Sequence, residues 1–175
     1  CYCAIEATMG LWGATYVVKL HGVTPEKAAK WASLFYFGIT FGRFLSGFVT
    51  YKLNNRQMIN LGLIIITTGI LLIIIPFGQI SLIGGFITVG LGCAPIFPSI
   101  LHQTPDNFGK ANSQAIMGLQ MAFAYVGSTF MPPLFGGLAS LTGYILLPIY
   151  TGILLILMII MIRLLNINVN NKKAI

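Results

Sequence analysis

Two side chains of opposite charge stand inside apolar stretches of this sequence. Glu6 lies in the run from Cys1 to Leu20, and Arg43 lies in a second run that begins near Trp31. At the centre of a bilayer a charge costs about 2.5 to 3.5 kcal/mol on insertion scales, so it needs a charged partner, water or a function. A carboxylate that alternates between an arginine and solvent can carry a proton, and the same pair can also lock two helices together.

Helix rise places the two charges at nearly the same depth. At 1.5 Å per residue, Glu6 lies about 21 Å from Leu20 and Arg43 lies about 18 Å from Trp31. The polar segment His21–Glu26 joins the two runs, so they would form an antiparallel hairpin with both charges near its middle. We therefore expect an ion pair between Glu6 and Arg43, with a structural role, a coupling role or both.

Four further side chains are candidates for lining a cavity with this pair. Gln120 falls about 12 Å from the inner end of its predicted helix and could hydrogen-bond a solute. Trp12, Tyr16 and Tyr36 offer flat rings with polar tips, which binding sites for sugar-sized molecules often use. Tyr36 precedes Arg43 by seven residues and so shares its helical face. Aromatic residues are also common as membrane-interface anchors, and that alternative stays open.

The same residues give little support to an enzyme. The three cysteines lie in apolar runs without metal-ligand spacing, and no Ser or Cys nucleophile is paired with a candidate base. The ten Lys and Arg residues are mostly scattered, so the net charge of +7 does not form the basic patch of a nucleic-acid-binding protein. We expect no catalytic residue, no metal, no cofactor and no nucleic-acid partner.

Composition and breaks predict the elements that carry these side chains. The chain is 57% hydrophobic and only 7% charged, whereas soluble domains have about 25% charged residues. A bilayer helix needs about 20 apolar residues, which predicts an all-α, polytopic transmembrane bundle of six helices. The predicted helices cover residues 1–20, 25–53, 58–75, 79–103, 111–138 and 144–165. The third and fourth are divided by Pro76–Gly78, and the fifth is bent by Pro132–Pro133.

The fourth helix is interrupted by glycines and prolines, at Gly90, Gly92, Pro95 and Pro98. Such interruptions occur in moving or ligand-lining segments, and they also occur in helices that are merely kinked by packing. Both interpretations stay open on the sequence.

Basic residues predict the orientation, because cytoplasmic ends of membrane helices are rich in Lys and Arg. One set of helix ends carries Lys52, Arg56, Lys110, Arg163, Lys172 and Lys173, and the other carries Lys19, Lys27 and Lys30. The first set predicts the cytoplasmic side of the cell membrane. With six spans, both termini would lie there.

The segment Gly47–Arg56 resembles the cytoplasmic loop motif of the major facilitator superfamily. Gly47, Lys52 and Arg56 match that motif, while Tyr51 stands where an acidic residue is usual. This departure suits a C-terminal half, in which the motif is typically degenerate, and it puts a charge-relay role of the loop in doubt.

Five other segments resemble the C-terminal domain of fucose-permease-like sugar transporters: Glu6–Trp12, Gly42–Arg43, Gly90–Ser99, Gly118–Ser128 and Met131–Gly136. The resemblance implies two inverted three-helix repeats, one half of a twelve-helix transporter whose N-terminal half is absent from residues 1–175. It also implies alternating access and transport of a sugar or similar small solute, often driven by protons.

Two other functions remain open. A drug or metabolite exporter of the same superfamily would share these helices but prefer apolar solutes. From a different class, the chain could be a stand-alone six-helix membrane protein without transport activity.

Overall fold

The structure is a computed structural model that describes residues 1–75 and 78–173. All regular structure in these residues is helical. The helices are α1 (Tyr2–His21), α2 (Pro25–Val49), α3 (Asn55–Ile74), α4 (Gln79–Cys93), α5 (Ile96–Phe108), α6 (Lys110–Thr142), a 3₁₀ turn (Tyr144–Leu146) and α7 (Leu147–Lys173). Because α4 and α5 follow each other across Ala94 and Pro95, the helices form six segments, which confirms the predicted all-α bundle.

Within the described residues, four segments are long and apolar enough to cross a membrane by length and composition alone. They are Pro25–Val49, Asn55–Ile74, Gln79–Phe108 and Tyr144–Asn171. The other two segments, α1 and α6, carry the candidate polar residues Glu6 and Gln120.

Several helix boundaries differ from the predicted ones for local reasons. Helix α2 ends at Val49, and α3 begins at Asn55 because Asn54 caps it. The Asn54 side chain accepts a bond from the Gln57 amide at 3.0 Å, and the Gln57 side chain accepts one from the Asn54 amide at 3.0 Å. This capping box satisfies two backbone donors that would otherwise lack partners.

The sequence predicts Pro76–Gly78 as the divider between the third and fourth helices. Its first two residues lie outside the described ranges.

Helix α6 continues through Pro132–Pro133 as far as Thr142, and α7 continues to Lys173. Proline in a helix removes one backbone donor and clashes with the preceding turn, so other contacts must support α6 at this point. The contacts of Trp12 and Tyr150 described below supply that support.

Glycines bring α4 close to two neighbouring helices. A β-carbon on Gly90 would collide with the Phe35 carbonyl oxygen of α2 and lie 3.1 Å from the Ile39 amide nitrogen. A β-carbon on Gly92 would lie 2.6 Å from the Ile66 amide nitrogen of α3. Small residues at such points let backbones approach closely, as is common between membrane helices. The glycine part of the interrupted helix thus serves packing.

Helix α1 lies between α2, α6 and α7. Its side chains Ile5, Met9 and Val17 are buried in the apolar core, whereas Glu6 is only partly buried. The two flanking helices α2 and α6 leave many large side chains exposed, among them Phe44 and Tyr125 at 63% and 71%. The partly buried side of α1 therefore forms the floor of a groove between α2 and α6.

Candidate functional site

A groove of about 500 Å³ opens along α1, and we call it the central groove. Its floor is formed by α1, one wall by α2, and the other wall by α6 with the start of α5. The lining residues are Tyr2, Cys3, Glu6, Ala7, Tyr36, Arg43, Phe97, Met121, Ala124, Tyr125 and Ser128. Charged, hydroxyl and aromatic groups therefore meet in one concave surface.

The charged pair lies in this groove as helix rise predicts. Arg43 Nη2 and Glu6 Oε1 are 3.9 Å apart, and the two side chains are 58% and 27% exposed. This distance is an ion-pair contact but exceeds the 2.7–3.2 Å or so of a hydrogen bond between nitrogen and oxygen. The guanidinium thus keeps donors free for another group in the groove, and the carboxylate keeps acceptors free as well.

Tyr2 lies in the groove with this pair and is not among the residues expected from the sequence. Its hydroxyl lies beside the Glu6 carboxylate and the Arg43 guanidinium. Its ring is 7% exposed and stacks on Phe97 of α5, with ring centroids 5.9 Å apart. Tyr2 precedes Glu6 by four residues and so shares its helical face, a spacing that could have identified it.

Tyr36 is the aromatic candidate that the structure brings together with the pair. It extends from α2 toward α1, where its hydroxyl lies against the α-carbon of Gly10. Its ring meets Phe35 edge to face, with centroids 5.3 Å apart, and its side chain is 52% exposed in the groove. Tyr36 and Arg43 thus line the same wall, as their spacing predicts.

The structure places Trp12 and Tyr16 outside the central groove. Trp12 packs against Phe135 and Tyr144 and donates a bond of 2.8 Å from Nε1 to the Pro132 carbonyl oxygen. Tyr16 is 4% exposed and lines a separate cavity at the other end of α1. Both rings face away from Glu6 because they occupy other faces of α1, so they act here as packing residues between helices.

Gln120 lies next to the central groove but lines a different, larger cavity of about 630 Å³ among α1, α3, α5, α6 and α7. Its Oε1 accepts a bond of 3.1 Å from the Thr104 hydroxyl of α5. The following residue, Met121, lines the central groove instead, since successive helical residues differ by about 100° in direction. Ala124, one turn later, lines both cavities.

Comparison with known proteins identifies the family. Residues 1–174 match the family model of the major facilitator superfamily. The chain belongs to the major facilitator superfamily. Membership places it among the multi-pass membrane proteins of a transporter superfamily.

A curated relative agrees with this assignment. An uncharacterized MFS-type transporter of Yersinia pestis is 25% identical in an alignment of 143 residues that covers 78% of this chain and 35% of that protein. The chain therefore spans about a third of the length of this relative. No solved structure matches the chain significantly.

The three matches to the superfamily's loop motif occupy the connection between α2 and α3. Gly47 has open space where a β-carbon would stand, and Lys52 is exposed in the turn. Arg56 donates a bond of 2.9 Å from Nη2 to Asn170 Oδ1, which joins the start of α3 to the end of α7. The Arg56 side chain thus makes a hydrogen bond between two helices of this bundle.

Among the described residues, no group of three or more His, Cys, Asp and Glu side chains is placed to hold a metal ion.

Proposed function

We propose that this chain is the C-terminal six-helix half of a twelve-helix secondary transporter. In this proposal the full protein moves a small polar solute, a sugar, across the cell membrane by alternating access, driven by protons. The single observation that carries the proposal is the Glu6–Arg43 pair, which lies 3.9 Å apart in an open groove of about 500 Å³.

The partial exposure of the pair favours a transport role over a purely structural lock. A lock works best when both charges are buried and fully hydrogen-bonded, because only then is the attraction strong. Here Arg43 is 58% exposed, and the contact is longer than a hydrogen bond. A solute or proton that enters the groove can therefore reach both groups without separating the helices.

The shape of the groove favours a second half as its other wall. The rim residues Tyr36 and Tyr125 are 52% and 71% exposed, so the groove is open on the side opposite α1. The curated relative is also about three times as long as the matched region. We propose that the missing N-terminal half covers this opening and that the solute is held between the two halves.

The lining chemistry favours a hydroxyl-rich solute. Glu6, Arg43 and Ser128 offer hydrogen-bonding groups, while the rings of Tyr36 and Tyr125 offer flat apolar faces. Sites for sugar-sized molecules combine a few polar groups with aromatic surface in this way. An exporter of lipophilic cations would have less use for an exposed guanidinium, which repels cationic solutes.

The test is an uptake screen with the full-length protein in proteoliposomes, run with and without an inward proton gradient. Hexoses, deoxyhexoses and disaccharides are compared with the lipophilic cation tetraphenylphosphonium. The proposal expects gradient-dependent accumulation of at least one sugar. Uptake of tetraphenylphosphonium alone would indicate the exporter alternative, and absence of any uptake would indicate a membrane protein without transport activity.

The variant Glu6→Gln tests the proton part of the proposal. It removes the charge but keeps a hydrogen-bonding side chain of nearly the same shape. We expect loss of gradient-driven accumulation, while exchange of labelled for unlabelled sugar across the membrane continues. Glu26→Gln, at the exposed start of α2, is the matched control and should leave both activities unchanged. If Glu6→Gln still accumulates sugar with unchanged pH dependence, Glu6 does not couple protons to transport.

A further inference from the structure

Gly10 and Tyr36 make a contact that the transport mechanism above does not use. A β-carbon built on Gly10 would collide with the Tyr36 hydroxyl and lie 3.0 Å from Cζ of the same ring. Real β-carbons essentially never come this close to another heavy atom. The Tyr36 ring therefore occupies space that is available only because residue 10 has no side chain.

This contact lies at one end of the central groove. Cys3, Glu6 and Ala7 line the groove floor, and Gly10 continues the same face of α1 because residues three and four apart stack along a helix. Gly10 is thus one turn beyond Glu6, and Tyr36 leans across α1 at that point. The ring forms the end wall of the groove on the side of the charged pair that faces away from Tyr2.

We propose that Gly10 determines which solutes fit the groove. Because Gly10 has no side chain, the Tyr36 ring can lie against α1, where it forms the end wall of the groove. This inference rests on the proposed function, since it concerns the same groove and the same class of solute. Gly10 is a positioning residue that acts through Tyr36.

The direction of the effect follows from the packing around Tyr36. The ring meets the fully buried Phe35 edge to face, whereas the Tyr36 side chain itself is 52% exposed and lines the groove, so the space open to its hydroxyl is the groove. A methyl group on residue 10 therefore pushes the Tyr36 hydroxyl away from α1 and into the open groove. The groove becomes shorter, so a disaccharide loses more affinity than a monosaccharide.

The experiment is a double-mutant cycle in the full-length transporter, with Gly10→Ala, Tyr36→Leu and the double variant. The probes are D-galactose and lactose, because lactose contains galactose and differs from it by one added ring. For Gly10→Ala we expect the half-saturating concentration of lactose to rise about tenfold, which corresponds to about 1.4 kcal/mol. For galactose we expect a smaller change. In the Tyr36→Leu background, Gly10→Ala should change either value by no more than about twofold.

The control is Gly152→Ala on α7, where an added β-carbon meets nothing within 4 Å. It should leave the ratio of lactose to galactose uptake unchanged. An equal effect of Gly10→Ala with and without the Tyr36 ring would overturn the proposal, as would the absence of any effect.

Two further outcomes are distinguishable. If the Gly10→Ala protein does not accumulate in the membrane, the Tyr36→Leu variant alone tests the proposal. Removal of the end wall should raise lactose uptake relative to galactose uptake. An unchanged ratio of lactose to galactose uptake would overturn the proposal. If the unmodified transporter is folded but takes up none of the hexoses, deoxyhexoses and disaccharides of the uptake screen, the sugar-transport proposal fails first, and the inference about Gly10 fails with it.

Discussion

Trp12 of α1 donates a hydrogen bond of 2.8 Å from its indole Nε1 to the main-chain carbonyl oxygen of Pro132 in α6. The neighbouring carbonyl of Met131 accepts a bond of 3.0 Å from the Tyr150 hydroxyl of α7. Two helices thus hold α6 at its proline pair, where backbone hydrogen bonding is interrupted. Helix α6 is therefore held on two sides near Pro132, whereas its groove-lining residue Tyr125 is 71% exposed.

The Tyr150 bond should contribute measurably to stability. Tyr150→Phe keeps the ring and removes the hydroxyl, so the free energy of unfolding should fall by about 1 kcal/mol. Tyr51→Phe is the matched control because Tyr51 is 89% exposed, and we expect a change within about 0.5 kcal/mol. Thermal unfolding of the full-length protein in detergent compares the two. If Tyr150→Phe and Tyr51→Phe had the same melting temperature, the bond from Tyr150 to Met131 would not stabilise the bundle.

Close approach through Gly90 predicts a large effect from a single methyl group. In Gly90→Ala the new β-carbon meets the Phe35 backbone, which cannot rotate away as a flexible side chain could. Overpacking of this kind lowers the free energy of unfolding by about 1 to 3 kcal/mol, and because the neighbour is rigid backbone we expect a value near the upper end of that range. Gly84→Ala on the same helix is the control, since its β-carbon meets nothing within 4 Å. Similar yields and melting temperatures of the two variants would contradict the observed packing of α2 against α4.

The two roles of the Glu6–Arg43 pair predict different results for stability. Because Arg43 is 58% exposed, removal of its partner should lower the free energy of unfolding by no more than about 1 kcal/mol, as for other solvent-accessible pairs. A fully buried lock would instead lose about 3 to 5 kcal/mol. Thermal unfolding of Arg43→Gln and Glu6→Gln, alone and combined, distinguishes the two. A loss of several kcal/mol in the single variants that recovers in the double variant would identify the pair as a lock.

The sequence was informative where one physical quantity decides the arrangement. Helix rise alone places Glu6 and Arg43 at similar depth, and the structure has them 3.9 Å apart. Helical spacing likewise places Tyr36 on the wall that carries Arg43. Both inferences depend only on the α-helical repeat and on the hairpin formed by α1 and α2, which the segment His21–Glu26 makes evident.

Other residues depend on how the helices are rotated and packed, which periodicity cannot give. Trp12 and Glu6 lie on one helix about 9 Å apart along its axis, and six residues of separation direct them toward different neighbours. Gln120 is adjacent to a groove-lining residue, yet its amide bonds Thr104 of α5. The close approach at Gly10 is also invisible in the sequence, because nothing there shows which ring crosses α1.

The orientation in the membrane remains a prediction from charge, and exposed loop positions allow a direct test. Helix α2 has 25 residues, which gives it a length of about 37 Å and lets it cross a hydrocarbon core of about 30 Å. Thr24→Cys at its start should therefore react with a membrane-impermeant maleimide on intact cells, and Tyr51→Cys just after its end only once the membrane is opened. The background is a cysteine-free, full-length transporter. The reverse pattern would place the Lys52 and Arg56 side outside the cell, and labelling of both positions on intact cells would contradict a membrane-spanning α2.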